Sequence, residues 1–311
     1  LRRLKERVRG LFKERSKLVK KAAEELVGKV PIVGATLVKS QLPPLDSCEF
    51  DTVIIDEASQ ASITLALLAM VKARKWVLVG DHKQLQPIFR GLSVPECEEL
   101  SAFTRLYRMY ESRSLWLRRH YRSNIEIAKF VAQHVYNGMI EPAEVCKKKM
   151  LRLKERPRLA PLDPNKPIVF VDVRGEERRE GKSKYNLEEA QAIEVLAREL
   201  TRLGAGDIGV ITPYKAQKNL LAERLKRLSI EVDTVDAFQG REKDVIIFSV
   251  TSTSNLEFAS EPHRLTVALT RARLKLIVVG NAQAVAKCHA TLLSKYYHYC
   301  AERKAVYKWI R

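Results

Sequence analysis

Cysteine is scarce in this sequence, and its five cysteines stand far apart with no CxxC pair. This spacing excludes a disulfide framework and a zinc ribbon, and it favours reduced thiols inside a cell. Cys288, His289, His298 and Cys300 could in principle surround a metal ion, but their spacing matches no familiar zinc pattern. A helix carrying ordinary polar and aromatic residues is the better interpretation of that segment.

Long apolar runs are also missing. No stretch approaches the length that a transmembrane helix needs, and the N-terminus is charged where a signal peptide would be apolar. We therefore expect a soluble, intracellular protein with no membrane partner, located in the cytoplasm, the nucleoid or the nucleus.

Acidic residues are outnumbered by basic ones. The chain has 56 Lys and Arg against 37 Asp and Glu, which gives a formal net charge of +19. Such an excess favours a polyanionic partner such as DNA or RNA. The alternative is a heat-adapted surface of ion-pair networks, but networks need more balanced charges.

The first segment has the spacing of an amphipathic helix. Apolar residues recur at three- and four-residue intervals from Leu1 onward, with Lys and Arg on the other faces. The pattern is already under way at the first residue, so we expect the helix to begin upstream, and Gly28 ends it. Residues 1–28 are predicted to form a helical stalk, either an arm near nucleic acid or half of a coiled hairpin. Residues 32–38 then predict a buried strand.

Beyond the stalk, short runs rich in Val and Ile alternate with helical patterns. A chain of 311 residues can bury two cores, and this alternation predicts parallel sheets flanked by helices. Two α/β domains are therefore expected, over residues 29–108 and 109–311, with an irregular, proline-containing excursion at 147–166. The predicted strands lie at 52–55, 76–79, 168–173, 208–212, 245–250 and 276–279.

Two adjacent carboxylates follow the first of these strands, in the sequence VIIDEA at 53–58. At the end of a strand, Asp56 could hold Mg²⁺ directly or through water, and Glu57 could orient an attacking water. A helix N-cap followed by an acidic first turn is an equally simple interpretation of the pair.

A second strand supports the catalytic interpretation. The run at 76–79 ends in Gly80 and Asp81, and Gln84 follows a turn later. The amide of Gln84 both donates and accepts hydrogen bonds, which suits a group that senses a terminal phosphate.

With these residues in place, the sequence resembles superfamily 1B helicases, in the branch that includes the nonsense-mediated decay helicase and the nuclease-helicase of Okazaki-fragment processing. The resemblance runs over residues 28–281, and several motifs in family order make it far more specific than any one motif. The matching segments are DEASQ at 56–60 (motif II), VGDHKQLQP at 79–87 (motif III), LRRHYRS at 117–123 (motif IV), TVDAFQGREKDVIIFS at 234–249 (motif V), LTVALTRARLKLIVVG at 265–280 (motif VI), GVITPYKAQ at 209–217 and VGATLVKS at 33–40.

The resemblance implies an α/β fold of two RecA-like P-loop NTPase domains with parallel sheets, the first incomplete at its N-terminus. It also implies ATP as ligand, with Arg122 and Arg271 as arginine fingers that stabilise the transition state. Tyr121 would stack on adenine, and Glu242 would contact the nucleotide beside Gly240, which permits close backbone approach. Outside the family frame, each arginine would be interpreted as a surface charge or a member of a salt bridge.

Four further residues are candidates for contact with the nucleic-acid backbone. Thr36, Thr212, Tyr214 and Thr234 carry hydroxyl groups suited to phosphate oxygens. Binding of this kind is indifferent to base sequence and weakens with salt. Hydroxyl side chains at strand ends also commonly cap helices, which is the alternative for each of them.

The chain departs from the family in one respect: GxxxxGK[ST] occurs nowhere in its 311 residues. That loop cradles phosphates through backbone N–H groups and a lysine, and GAGDIG at 204–209 lacks the lysine and the hydroxyl residue. Because the family places the loop upstream of motif II, we expect it in a preceding segment, and we expect these residues alone to bind ATP poorly and not to hydrolyse it.

The function expected is that of an ATP-dependent helicase or translocase moving 5′-to-3′ on single-stranded DNA or RNA. The alternative is a non-catalytic nucleic-acid-binding half that supplies arginine fingers to a separate P-loop subunit. A nuclease-fused repair enzyme is a third possibility, and it depends on domains outside this sequence.

Overall fold

The structure is a computed structural model that describes residues 2–89 and 91–310. Its chain forms two compact units, residues 1–82 with 86–114 and residues 83–85 with 115–311. Leu1, where the predicted stalk begins, lies outside the described residues. The predicted domain limits stay predictions.

The first unit consists of one long helix, a two-stranded parallel sheet and three shorter helices. Its first helix confirms that the opening segment is helical, yet none of its residues from Arg2 to Val27 is buried. The elements are α1 Arg2–Val27, β1 Phe50–Ile55, α2 Ile63–Met70, β2 Ala73–Leu78, α3 Val94–Glu99 and α4 Ala102–Met109.

The sheet of the first unit has one covered face and one open face. Ile55 pairs with Leu78 in register, and both pack against a small core that contains Ala58 and Met70. On the other face Ile54 pairs with Val77, and these side chains are 69% and 41% exposed. The two predicted strands are therefore confirmed, but they are buried on one side only.

The strand predicted over 32–38 is wrong. No strand forms in these residues, all of which are described, and Ile32 is 86% exposed. The chain instead turns at Thr36, whose carbonyl accepts from Ser40 N at 3.1 Å, and enters a 3₁₀ helix at Lys39–Gln41. A short apolar run becomes a strand only where a neighbouring strand takes up its backbone hydrogen bonds.

The second unit is built on a six-stranded, wholly parallel sheet with strand order β12-β5-β11-β10-β8-β9. A two-residue parallel pair, β3 with β4, and an antiparallel hairpin, β6 with β7, lie outside this sheet. The strands are β3 Arg119–His120, β4 Glu141–Pro142, β5 Ile168–Asp172, β6 Arg178–Glu180, β7 Ser183–Tyr185, β8 Ile208–Thr212, β9 Glu231–Thr234, β10 Lys243–Ser249, β11 Ala272–Gly280 and β12 Val306–Lys308. The helices are α5 Ile125–His134, α6 Leu187–Arg202, α7 Lys215–Leu225, α8 Pro262–Thr270, α9 Ala282–Lys287 and α10 Leu292–Glu302.

Alternate residues of the central strands belong to two separate hydrophobic cores. In β10, Ile246 and Phe248 join the core that holds side chains of α5, α8 and α10. Val245 and Ile247 join the core that holds side chains of α6 and α7. Helices therefore cover both faces of this sheet, and the α/β class with parallel strands is confirmed.

The irregular excursion predicted at 147–166 is tied to the sheet at three points. Residues 149–167, all of them described, contain only a short 3₁₀ helix at Ala160–Leu162. Leu151 and Leu162 are buried in the core beneath α6. Lys275, fully buried in β11, donates from Nζ to the carbonyl oxygens of Asp163 at 2.8 Å and Lys166 at 2.5 Å.

Among the described helices, none combines the length and the apolar character needed to cross a lipid bilayer.

The buried lysine gives the fold a measurable pH dependence. Burial lowers the pKa of Lys275 from 10.5 to about 7, so between these values the unfolded chain binds a proton that the folded chain has released. The free energy of unfolding should then rise with pH across this window, by up to ~1.4 kcal/mol per pH unit. In urea unfolding, the free energy of unfolding of the wild type should increase relative to that of Lys275→Met as the pH rises from 7 to 9. Parallel pH profiles for the two proteins would contradict the assignment.

Candidate functional site

The predicted acidic pair lies just beyond the end of β1, with both side chains exposed. Asp56 Oδ1 accepts from the backbone N–H of Glu57 at 2.9 Å. Glu57 has a left-handed backbone, with φ of 51°, and its Oε2 accepts from Gln60 at 3.3 Å. A left-handed residue other than glycine costs about 1–3 kcal/mol and persists where the surroundings fix it, often at functional sites.

The turn is fixed from both sides by backbone bonds. Val79 N donates to Ile55 O, and Ala58 N donates to Val79 O, each at 2.8 Å. The carboxylates of Asp56 and Glu57 are thereby held at the end of the sheet. In the described part of the chain, no three His, Cys, Asp or Glu side chains converge as metal ligands. Mg²⁺ commonly binds one or two carboxylates together with waters and substrate phosphates, so Asp56 fits as such a ligand.

Two residues predicted to act on phosphate meet in the second unit, although 187 positions separate them. Arg271 Nη2 donates to Gln84 Oε1 at 3.0 Å. Arg271 follows α8 directly and is only 3% exposed, and its guanidinium also bonds Val267 O at 3.1 Å and Thr270 Oγ1 at 2.9 Å. Its orientation is therefore fixed by the end of its own helix.

Arg122 and Glu242, predicted as a finger and a nucleotide contact, form an ion pair of 2.6 Å between Nε and Oε2. Arg122 Nη1 also approaches Thr270 O at 3.4 Å, next to Arg271. The paired side chains are 40% and 39% exposed, and an ion pair this open is worth only about 0–1 kcal/mol. A phosphate group could displace Glu242 from Arg122 at little cost.

Arg122 is positioned by a strap to the start of β11. Ser123 Oγ donates to Ala272 O, and Asn124 N donates to Arg273 O, each at 2.7 Å. The Asn124 side chain then caps α5 by accepting from Glu126 N at 2.9 Å. These bonds explain how motif IV reaches motif VI.

Sequence reasoning missed Arg273. Its Nη1 lies 3.6 Å from Glu242 Oε1, its Nε donates to Asp244 Oδ1 at 3.1 Å, and its Nη2 lies 3.7 Å from Asp207 Oδ2. The signal was present in the motif, since Arg271 and Arg273 are two positions apart at a strand start and side chains alternate with that period. We call Gln84, Arg122, Glu242, Arg271 and Arg273 the arginine cluster, which lies at the amino ends of β10 and β11.

The surroundings of Tyr121 and Gly240 are compatible with their predicted roles, which stay predictions. Tyr121, next to Arg122, is 58% exposed, as a ring that receives a base must be. Gly240 has φ of 77°, and a Cβ placed there would meet no atom within 4 Å. Its backbone is therefore accessible, in a conformation that favours glycine.

The four predicted nucleic-acid contacts differ in accessibility. Thr36 is exposed, although its hydroxyl accepts from Lys39 N at 3.3 Å, and Thr234 is half-buried at the end of β9. Thr212 is fully buried, its hydroxyl 3.1 Å from Thr251 Oγ1 and accepting from Tyr214 N at 3.3 Å. Tyr214 is 7% exposed. The alternative, a helix cap, does not describe Thr212, because Tyr214 is the N-cap of α7 and the Thr212 hydroxyl lies against Thr251. Contact with nucleic acid stays a prediction for all four.

A buried carboxyl group, Glu189, organises the carboxyl ends of β8 and β10. Its Oε2 accepts from Ser249 Oγ and from Thr251 N, each at 2.8 Å, and Gln217 Nε2 donates to Ser249 Oγ at 3.0 Å. Burial raises the pKa of Glu189 to about 8, although the bonds from Ser249 and Thr251 oppose the shift. The network holds Thr251 in a left-handed conformation with φ of 69°.

A parallel α/β fold with arginines gathered at one end of its sheet is typical of nucleotide-dependent enzymes, and comparison with known proteins agrees. Two family models described as AAA domains match residues 1–90 and 99–283. An ATP-dependent helicase of Methanocaldococcus jannaschii is 34% identical over 286 residues, which are 88% of this chain and 42% of that protein. The regulator of nonsense transcripts 1 homolog of Neurospora crassa is 31% identical over 288 residues, 87% of this chain and 26% of that protein.

Among solved structures, the arterivirus nonstructural protein 10 helicase in complex with DNA aligns with a TM-score of 0.41 at 17% identity, covering 76% of this chain and 41% of that one. The chain spans less than half the length of the two curated relatives. By its family match and these relatives, the chain belongs to the superfamily 1B helicases, in agreement with the motifs.

The role of Glu189 can be tested through the pH dependence of stability. Its pKa is raised from 4.5 in the unfolded chain to about 8 in the folded one, so the folded state holds a proton that the unfolded state releases. The stability this proton supplies is complete below pH 4.5 and is lost as the pH rises through 8. Thermal denaturation should show the wild type losing stability relative to Glu189→Gln between pH 5 and pH 8. A constant difference across that range would show that the carboxyl titrates normally.

Proposed function

We propose that this chain is the motor part of an ATP-dependent helicase or translocase that moves 5′-to-3′ on single-stranded DNA or RNA. The observation that carries the proposal is the arginine cluster, where residues from motifs III, IV, V and VI meet. All of them except Arg273 were predicted from the sequence to act on the nucleotide or its phosphates, and a surface without function has no reason to gather them.

The proposed reaction is attack of water on the γ-phosphate of ATP. Asp56 would hold Mg²⁺, which when bound neutralises phosphate charge, and Glu57 would orient the water. Arg122 and Arg271 would stabilise the charge that develops in the transition state, with Gln84 sensing the terminal phosphate. Tyr121 would stack on the adenine, while Glu242 and the backbone at Gly240 would contact the nucleotide.

The ion pair of Arg122 with Glu242 suggests how nucleotide binding is signalled. Without a nucleotide, Glu242 satisfies the guanidinium. When phosphate takes its place, Glu242 is released and can turn to the nucleotide or remain with Arg273. This exchange replaces one charge-assisted bond with another, so it costs little and responds to the presence of ATP.

We propose that the phosphate-cradling loop lies outside these 311 residues, which contain no GxxxxGK[ST], in a segment that extends the sheet of the first unit. This sheet has only two strands in the described residues, fewer than a parallel sheet usually has, which supports the proposal. Helices of the same segment would cover the open face of β1 and β2, where Ile54 and Val77 are exposed. If the loop belongs to another polypeptide, this chain is the non-catalytic half that supplies fingers to a separate subunit, and that is the second candidate function.

The nucleic-acid track is proposed to bind through its phosphates. The net charge of +19 supplies long-range attraction. Thr36 and Thr234 offer accessible hydroxyl groups. Thr212 and Tyr214 are buried, so they would reach the track only if the residues that cover them moved. Sequence-independent contact of this kind is compatible with DNA and RNA alike.

Hydrolysis tests the roles assigned to the arginine cluster. With the chain extended upstream through a P-loop, Arg122→Ala and Arg271→Ala should each lower the nucleic-acid-stimulated kcat by about 10³-fold or more, because an arginine finger acts mainly on the transition state. The 311-residue chain alone should not turn over ATP. Arg198→Ala, which removes an exposed ion pair on α6, is the matched control and should hydrolyse normally.

Because Arg271 is buried, Arg271→Lys should accompany the alanine variant, with melting temperatures measured for both. A fully active Arg271→Ala enzyme would overturn the finger assignment. A loss of activity accompanied by unfolding would leave Arg122→Ala, whose side chain is open to solvent, as the deciding variant.

Polarity is tested by strand displacement. The upstream-extended protein should displace a strand from partial duplexes that carry a 5′ single-stranded tail on the tracked strand, and it should fail on those with a 3′ tail. DNA and RNA tracks compared side by side, with the Glu57→Gln variant as an ATPase-dead control, would identify the preferred track. Unwinding from the 3′ tail would contradict the proposed direction.

A further inference from the structure

A charged side chain of the second unit occupies a site built for an anion. After β10 the chain turns through residues 251–255, which we call the 251–255 turn. Five donors converge on the Glu177 carboxylate: the backbone N–H groups of Thr253 at 2.7 Å and Ser254 at 3.2 Å, the hydroxyls of Ser252 and Ser254 at 2.7 Å, and Lys184 Nζ at 2.9 Å. A carboxylate offers about four acceptor positions, so these donors saturate Glu177.

The donors are arranged before any ligand arrives. Glu189 fixes the left-handed Thr251 at the start of the turn, and Ser252 N bonds Val250 O at 2.7 Å. Successive N–H groups that point to one side form a nest that attracts anions. Lys184 Nζ is held in place by Ser252 Oγ at 2.8 Å.

The electrostatics of the site match this geometry. Burial by itself would raise the pKa of Glu177, but hydrogen bonds from Ser252, Ser254 and Lys184 outweigh it and hold the pKa well below its usual range. The site therefore strongly prefers a negative charge over a neutral group. A phosphodiester oxygen carries that charge, and amides, hydroxyls and lysine are the donors that proteins direct at nucleic-acid backbones.

The surroundings of the site favour a polyanion over a small anion. Glu177 leads directly into the β6–β7 hairpin, on which Arg178, Arg179 and Lys182 are exposed. Arg174, just before the hairpin, is exposed as well. These exposed basic residues outnumber the exposed Glu176 and Glu180 of the same segment, and their excess beside one phosphate-sized nest fits a strand with several phosphates.

The position of the site separates it from the arginine cluster. The 251–255 turn follows the carboxyl end of β10, whereas the arginine cluster lies at the amino ends of β10 and β11. Strands of seven and nine residues lie between the two ends, which at about 3.3 Å per residue is roughly 20–30 Å. One nucleotide cannot occupy both places.

We propose that the 251–255 turn and Lys184 form a phosphate site for the single-stranded nucleic-acid track, and that Glu177 is its built-in competitor. In the absence of nucleic acid, Glu177 occupies the nest and ties the β6–β7 hairpin to the turn. A backbone phosphate displaces the carboxylate, and the hairpin is then free to lay its arginines along the strand. This inference rests on the proposed binding of nucleic acid.

Binding of a fluorescent oligothymidylate and a matching oligouridylate, measured over a range of salt concentrations, tests the proposal. Removing the competitor with Glu177→Gln should tighten binding several-fold. Because a phosphate occupies the nest in both complexes, the slope of log K against log salt should be the same for Glu177→Gln and the wild type. Adding Lys184→Ala to this variant should abolish the gain.

The matched control is Glu176→Gln, which removes the same charge from the adjacent, exposed position. It should tighten binding far less than Glu177→Gln, because it frees no donors. An affinity that responds equally to both substitutions, or to neither, would show that Glu177 is only a structural latch and would overturn the proposal. Wild-type protein that binds neither oligonucleotide would instead refute the proposed function, and this inference with it.

A measurement on the unaltered protein covers the case in which Glu177→Gln fails to fold. On binding the oligonucleotide, amide hydrogen exchange should quicken in residues 173–185, while the amides of Thr253 and Ser254 stay protected by their new partner. Unchanged exchange in the hairpin of a protein saturated with oligonucleotide would overturn the displacement.

Discussion

Burial of both faces of the six-stranded sheet is the constraint on which the second unit depends. Residues of β10 alternate between two apolar cores, so a polar side chain midway along the strand would need its own buried partner. Polar chemistry is therefore concentrated at strand ends, with Glu242 and Arg271 at the amino ends and Ser249 and Thr251 at the carboxyl ends. Lys275 is the exception in the described strands, and its burial is tolerated because two carbonyl groups accept hydrogen bonds from its Nζ.

At both ends of the sheet, a carboxylate pairs with donors that are proposed to bind phosphate. At the amino ends an exposed carboxylate, Glu242, holds an arginine that is proposed to bind ATP phosphate. At the carboxyl ends a better-enclosed carboxylate, Glu177, holds donors that are proposed to bind nucleic-acid phosphate. The exposed pair exchanges easily, whereas the enclosed one is held by five donors and gives way only to a ligand that satisfies all of them.

Patterns that depend on local sequence predicted much of this molecule. Short runs rich in Val and Ile located the central strands, and motif order identified the residues of the arginine cluster, apart from Arg273. Properties that depend on distant partners were beyond such reasoning. The run at 32–38 looked like a strand but has no strand to pair with, the Thr212 hydroxyl turns inward to Thr251, and the bonds of Glu189 to Ser249 and Thr251 cross 60 or more positions. The left-handed backbone of Glu57 likewise leaves no trace in its residue type.

The connection over residues 149–167 shows how an irregular segment can be made rigid. Nearly twenty residues without a helix or strand, apart from one short 3₁₀ turn, would ordinarily be the first place for a protease to cut. Here two buried leucines pack in the core, and the Lys275 side chain bonds two carbonyl groups of the segment, so its backbone is held against the sheet. Limited digestion should therefore spare this region and begin in the solvent-exposed length of α1.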